Sequence, residues 1–567
     1  MKQMLLACIL IICMNSCSYG QDRSIYSTNN FPTRIFNDPE IQKLGFSLAA
    51  IERYYVDTIN SSKLVEEAII SMLAKLDPHS YYLTTEEVRK TNESLQGNFE
   101  GIGIQFNTMT DTLYVVDVIK DGPSEKIGIL AGDKIIYVND TLIAGVKMRD
   151  TDIVSKLRGP KGTTVNVKIL RKGFPQLLDF KIVRDKIPLY SLRIYYMIDK
   201  NIGYIRLDRF SATTHKEFKE AMAELQAQGM ENLILDLQSN GGGFLNESIE
   251  LANEFLSSGS LIVYTEGLNQ SRDNYKANDS GSFKNGRLVI MVDEASASAS
   301  EIVSGAVQDW DRGVIIGRRT FGKGMVQRPI SFPDGSVIRL TSAYYYTPSG
   351  RSIQKPFTKG DSESYHREID DRIIHGEMVS ADSIHFSDSL KYHTLISNRT
   401  VYGGGGIMPD LFIPVDTTSA LYIARTTRLF LEMVYSKGTI NKYIQSFMDE
   451  NRVKYKALYP ELDSFKQNFT VSDNMFDAMM KIYIKDKTEE LKEKGELKDE
   501  IYQLTEEQQT DLEKSKWLLL HFIKVNIARE IFSENESTQL HNVLFDTYNK
   551  AVEIISDVDK YNELLSR

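Results

Sequence analysis

Apolar positions three and four apart run through residues 41–95, among them Leu64, Ala68, Ile69, Met72 and Leu73, and this spacing predicts helices interrupted at Pro78. From Gly97 to about Ile187 the pattern shortens. Apolar runs separated by Gly or Asn-Asp turns predict strands at 103–106, 113–119, 134–138, 164–170 and 178–183, a small β module. Between Gly203 and about Pro348, the apolar strands Leu233–Leu237, Leu288–Val292 and Val314–Ile316 alternate with helical stretches at 216–226 and 299–310. That alternation predicts an α/β domain with a buried sheet. The stretch 355–406 has weaker periodicity, holds four of the eight histidines and ends in Gly403-Gly404-Gly405-Gly406, so it reads as an insertion on the α/β domain. Beyond Thr417 the chain is rich in Leu, Lys and Glu. The dense mixture of charges at 488–514 reads as solvated helix and carries no assigned chemistry.

Length and composition narrow the class. At 567 residues the chain is too long for one core, and about three or four domains are expected. With 42% apolar and 25% charged residues it is not a disordered, collagen-like or multi-spanning membrane chain. A net charge of -10, with 77 acidic against 67 basic residues, offers no field for phosphate backbones, so nucleic acid is not an expected partner. The three cysteines, Cys8, Cys13 and Cys17, all lie in a leader that begins with Lys2 and continues as an apolar run from Met4 to Met14. This run is short for a bilayer span and suits a secretory signal, predicted over 1–20. Two processing routes stand side by side. Cleavage at Gln21 would follow Ser18-Tyr19-Gly20, whereas Met14-Asn15-Ser16-Cys17 is similar to a lipoprotein box that would place a lipid on Cys17. Either way the expectation is an exported protein, periplasmic or membrane-anchored.

Candidate chemistry begins where the strand Leu288–Val292 gives way to Asp293-Glu294-Ala295-Ser296-Ala297-Ser298-Ala299-Ser300-Glu301-Ile302. A small-residue turn between strand and helix can stand a serine hydroxyl at a helix N-terminus, beside amides that stabilise an oxyanion. Ser296, Ser298 and Ser300 all qualify, as nucleophile or as plain helix cap. No histidine lies between His215 and His366, but Lys323 lies in Thr320-Phe321-Gly322-Lys323-Gly324-Met325-Val326-Gln327. A desolvated lysine can serve as the base, and Gln327 could orient its amine; the plain alternative is a surface lysine in a turn. A glycine cluster, Asn240-Gly241-Gly242-Gly243, follows the strand Leu233–Leu237 and could turn amides toward an oxyanion or a phosphate, or form a simple turn. The spacing of a nucleotide-binding loop is absent, which disfavours ATP.

These three segments together resemble the carboxyl-terminal processing, or tail-specific, family of serine peptidases. The resemblance implies Ser298 as nucleophile, Lys323 as general base and Gln327 as its support. It implies an oxyanion hole from the amides of Ala299 with Gly242 or Gly243. It implies a ClpP/crotonase-type core of ββα units, an α/β multidomain fold with an inserted PDZ domain and helical N- and C-terminal regions. The divisions are then 39–96 helical, 97–187 PDZ, 188–416 protease core with the insertion 355–406, and 417–567 helical. In the PDZ domain, Gly101, Ile102, Gly103 and Ile104 look like the carboxylate-binding loop and the start of the peptide-pairing strand, with Ile102 and Ile104 favouring an apolar final residue. Arg158, after the groove helix, is a candidate for coupling PDZ position to the dyad. Protein or peptide substrates with free C-termini are the expected partners, with no cofactor and no metal. The alternative is a non-catalytic PDZ adaptor on the same fold, against which the intact Ser298, Lys323 and Gln327 argue; a third reading is a ligand-binding protein on that core.

Overall fold

The computed structural model describes residues 38–108, 111–415 and 420–566. The leader and Cys17 lie outside the described residues. The described residues fold as two compact units, the smaller made of 38–90 with 326–342 and 357–366, the larger of the other described residues.

In the smaller unit, Asp38 and Asn60 cap the helices Pro39–Tyr54 and Ser61–Leu73 by accepting their first free amides. Between Pro78 and the next helix the chain forms a short strand, Tyr81–Leu83, that the helical reading of 41–95 did not anticipate. It pairs antiparallel with Val337–Arg339. Asp77 fixes the turn before it, accepting from the amides of His79 and Ser80 and from the Thr341 hydroxyl at 2.9 Å. His79 Nε2 lies 2.8 Å from the hydroxyl of Tyr365. The segments 326–342 and 357–366, assigned from sequence to the protease core, thus make part of their packing with the N-terminal region.

The larger unit contains the β module, the α/β layer and the C-terminal helices. The module's sheet is antiparallel, ordered Ile104–Asn107, Leu113–Val118, Lys134–Val138, Thr164–Leu170, Leu178–Val183. Alternate residues of Thr164–Leu170, namely Val165, Val167 and Ile169, point into its core, as period-two side-chain geometry requires. Asn98–Gly101 pairs with Asp185–Pro188, bringing the module's entry and exit strands together.

The α/β layer is a six-stranded sheet ordered Ile194–Met197, Ile202–Arg206, Asn232–Asp236, Leu288–Val292, Val314–Gly317, Leu411–Phe412, parallel except for the first pair. Every residue of Asn232–Asp236, Leu288–Val292 and Val314–Gly317 is buried, which is why these strands read as nearly continuous apolar runs, with Asn232 and Asp236 at the ends of the first. The order advances in one direction through its parallel connections, and right-handed crossovers therefore put the connecting helices on one face. The other face needs a separate cover. Tyr548, Ala551, Ile554, Ile555, Tyr561 and Leu564, from the helices Asp546–Ser556 and Val558–Ser566, pack there against Ile234, Val289, Met291 and Ile316. Residues between, about 429–531, form a helical core of their own around Phe430, Met448, Phe465 and Ile523. This part also touches the β module: Lys172 Nζ donates to the Asp449 carbonyl at 3.0 Å. Among the described residues no helix is long and apolar enough to cross a membrane.

Candidate active site

The three candidate serines separate by their environments. Ser296 and Ser300 are fully buried, and each hydroxyl donates to a main-chain carbonyl at 2.8 Å, Ser296 to Leu237 and Ser300 to Asn240. Ser298 is only half-buried and stands at the start of the helix Ala299–Asp309 with φ +57°, a conformation that a non-glycine residue adopts rarely and that marks a sharp strand-to-helix turn. The two flanking serines therefore act as fasteners and the middle one is presented.

The glycine loop is sewn to this turn. Asn240 is completely buried, and its carbonyl accepts from the Ala297 amide at 3.0 Å as well as from Ser300. Asp293 adds a second seam, accepting from the amides of Ser239 and Ala295 through one carboxylate oxygen. Gly242, at φ +95°, lies so close that a Cβ there would come within 2.8 Å of Ser298 Cβ and 2.9 Å of the Ala299 nitrogen. Only glycine fits. The Gly242 amide, however, donates to Asn240 Oδ1 at 2.9 Å, and its carbonyl accepts from Phe210. Of the two loop amides expected for an oxyanion, that of Gly242 is thus engaged within the loop, and the Ala299 amide is one of those a helix start leaves without an intrahelical acceptor.

Glu301 binds the serine turn to the lysine loop. It is fully buried, three residues after Ser298, and all four groups that face its carboxylate are donors. Oε2 accepts from the amide of Ser298 at 2.8 Å and from that of Lys323 at 2.9 Å. Oε1 accepts from the Gly322 amide at 2.7 Å and the Thr320 hydroxyl at 2.6 Å. One oxygen atom therefore holds the main chain of both expected dyad residues. Burial pushes the carboxyl above the ordinary glutamate range, against the opposing pull of the Thr320, Lys323, Ser298 and Gly322 donors. The remaining amides of the lysine loop are also taken: Thr320 donates to Ile407, Phe321 to Ser296 and Gly324 to Gln354 Oε1. Sequence reasoning quoted Glu301 without giving it a role. The signal was present, because Ser-x-x-Glu at 298–301 has the spacing of a capping box.

Gln327 lies on the strand Met325–Ser331 and belongs to the smaller unit, where its Nε2 is buried with no hydrogen-bond partner. In the β module, the strand Ile104–Asn107 is at the sheet edge, paired through Leu113–Val118 alone among the described residues. Gly103 takes φ +77° and Gly101 ends the entry strand. Ile102 departs from expectation. At 3% exposure its side chain is part of the module's core, and its carbonyl accepts from both the amide and the hydroxyl of Ser124; Ile104, half-buried, is the more accessible of the two. Arg158 donates to Glu93 at 2.7 Å and lies over the Phe99 ring at 4.4 Å, so within its unit it ties the end of the groove helix to the segment leading into the module.

The model of Peptidase family S41 matches residues 201–364, that of the PDZ domain 101–182, and a family of unknown function (DUF8443) 430–533. Over 322 residues the chain is 37% identical to a carboxy-terminal-processing protease of Bartonella bacilliformis, covering 56% of this chain and 73% of the relative. It is 34% identical over 316 residues to a probable CtpA-like serine protease of Staphylococcus epidermidis, covering 55% and 63%. With the carboxy-terminal processing protease CtpA of Bacillus subtilis the identity is 35% over 319 residues, covering 56% and 67%. Among solved structures, the photosystem II D1 C-terminal processing protease is 29% identical, covering 57% of this chain and 86% of that one, with a TM-score of 0.33.

Proposed function

The chain belongs to peptidase family S41, the carboxy-terminal-processing serine peptidases, and from that premise we propose that it is an exported endopeptidase that captures substrate C-termini through its PDZ domain and cuts with a Ser298/Lys323 dyad. The observation that carries the reading is the single Glu301 oxygen shared by the amides of Ser298 and Lys323. In the reaction, Ser298 Oγ attacks the scissile carbonyl carbon while neutral Lys323 Nζ takes the hydroxyl proton. The amides of Ala299 and Gly243 donate to the oxyanion of the tetrahedral intermediate. The intermediate collapses by breaking the C–N bond, Lys323 returns the proton to the leaving amine, and water then hydrolyses the ester on Ser298. A lysine base works only unprotonated, so turnover rises with pH through its titration, and Lys323→Arg, whose guanidinium stays charged, is inactive.

Capture uses the edge strand Ile104–Asn107, which can add a peptide strand, and the loop Gly101–Gly103, whose amides suit a terminal carboxylate. An apolar last residue is favoured beside Ile104, and Arg158 couples the module's position to cutting. Export follows from the leader, with cleavage before Gln21 or a lipid on Cys17.

The test is intact-mass analysis of an unfolded protein substrate. Ser298→Ala is expected to abolish cleavage, whereas Ser296→Ala and Ser300→Ala retain part of it; full activity in Ser298→Ala would sink the assignment. Below saturation, a substrate ending in a free carboxylate is expected to be cut several-fold faster than the same chain ending in an amide. Equal rates would remove the capture role from the PDZ domain and leave the dyad standing.

A further inference from the structure

The insertion 355–406 reaches the loop of Lys323 from the carbonyl side. Arg372, 3% exposed, donates from Nη1 to the Thr320 carbonyl at 2.8 Å and from Nη2 to the Phe321 carbonyl at 3.1 Å. The amide of Lys355 donates to the Gly322 carbonyl at 2.9 Å. Its side chain, 1% exposed, lies with Nζ 4.1 Å from the centroid of the Phe321 ring. Both cations end on one carboxylate: Glu368 Oε1 accepts from Arg372 Nε at 2.6 Å and Oε2 from Lys355 Nζ at 2.8 Å. Beside them Arg319 pairs with Glu377 at 2.6 Å. The group thus carries three positive and two negative charges behind the loop, and Glu301, whose carboxylate accepts from the amides of Gly322 and Lys323, brings a third negative charge to the same loop from the other side.

A cluster that served only to hold the insertion together would aim its donors at the insertion's own groups. Here the guanidinium nitrogens of Arg372 that do not meet Glu368 go to two consecutive carbonyls of the loop, the two residues before Gly322-Lys323. With the amides held by Glu301, Ile407 and Ser296, the stretch Thr320–Gly322 is fixed on both its edges.

We propose that Arg372, Glu368 and Lys355 are positioning residues for the general base: they lock the main chain that carries Lys323, and their charges, set against that of Glu301, tune the amine. The proposal rests on Lys323 being the base. A nearby cation disfavours a protonated amine and a nearby anion favours one, so removing Arg372 raises, and removing Glu368 lowers, the pH at which Lys323 becomes available as a base.

The experiment is the pH dependence of kcat and KM on an unfolded protein substrate for the full chain, with Arg372→Gln, Arg372→Lys, Glu368→Gln and Lys323→Ala. Arg372→Gln removes a cation and two loop contacts. We expect kcat to fall about thirtyfold with KM within about twofold, as a misplaced catalytic group does, and the ascending limb of the profile to move up by about one pH unit. Arg372→Lys keeps the charge, so its limb stays close to that of the unaltered enzyme while kcat recovers only in part. Glu368→Gln removes the anion, and its limb moves down. Shifts of opposite sign are what simple loosening of the fold would not produce. If Arg372→Gln does not fold, the downward shift in Glu368→Gln carries the test. A limb that stays put in the folded variants overturns the proposal and leaves the dyad intact. Turnover by Lys323→Ala with the original limb overturns the base assignment itself, and the proposal with it.

Discussion

Glu301→Leu is expected to leave no measurable turnover and to lower stability by about 3 kcal/mol. Three buried amides, those of Ser298, Gly322 and Lys323, lose their acceptor together with the Thr320 hydroxyl. A buried donor left unpaired costs about 1–3 kcal/mol. Part of that sum is offset, because the change also removes a carboxylate whose own burial is unfavourable, as the upward displacement of its pKa indicates. The usual conservative substitution should not rescue it. Both oxygens of Glu301 face only donors, so the amide nitrogen of Glu301→Gln, in either orientation, would point its own hydrogens at two of them. Glu301→Gln is therefore expected to lose turnover by at least about a hundredfold, since dyad geometry depends on where the two main chains are held. Urea unfolding followed by circular dichroism, with intact-mass cleavage assays on the same preparations, checks both halves. Wild-type turnover in Glu301→Leu would mean that the shared oxygen does not align the dyad.

How much of this was readable beforehand depends on the range of the interaction. Local chemistry showed itself: the apolar runs gave the buried strands, and the turn after Val292 marked the serine segment. The residues alone left Ser296, Ser298 and Ser300 equivalent, and only the resemblance selected Ser298. What separates them in space is a carbonyl of Leu237 for one and of Asn240 for another, partners about sixty residues away. Arg372 was invisible for the same reason, since its contact with Thr320 spans fifty-two residues and an arginine on a polar helix reads as solvated. The C-terminal helices were legible as helices but not as the cover of the sheet. That follows from strand order, which places the connecting helices on one face, and strand order is not written in periodicity. Ile102 shows the converse error. Its apolar character suited a ligand pocket and a core equally well, and Ser124, donating to the Ile102 carbonyl from both its amide and its hydroxyl, holds the segment to the core.

Mild acid is expected to loosen these C-terminal helices from the core before the carboxylates held low by ion pairs give way. His521, on the helix Glu506–Ile531, and His541, on Glu534–Asn542, have ring centroids 5.8 Å apart, and the first packs no polar partner on Nε2, the second none on Nδ1. His541 meets the edges of Phe522 and Phe545. Burial first, and then neighbouring cations, push both imidazoles down to about 4; the cations are His541 and Lys524 for His521, and Arg206 for His541. In the unfolded chain both titrate near 6.5. Between pH 6.5 and 4 the unfolded state thus binds protons that the folded state refuses, so stability falls as pH falls through that window and is fully retained above it. By pH 5 each histidine accounts for about 2 kcal/mol, and about 3 kcal/mol is expected for the pair, because the two are coupled and keep some contact with water. The lowered carboxylates do not confuse the result: Glu490 and Glu553 stand near 2, so what they contribute is lost only below about pH 4.5. The helix Glu534–Asn542 also joins the core strand Ile194–Met197, where Asn535 Oδ1 accepts the Tyr195 amide and Asn542 donates to the Tyr196 hydroxyl, so protonation at His541 strikes at that junction. Urea midpoints at pH 7 and pH 5, compared between the unaltered chain and the double variant His521→Leu/His541→Phe, decide the matter. The unaltered chain should lose most of its acid-dependent stability in this interval and the double variant little. An equal loss in both would assign the acid sensitivity to other groups.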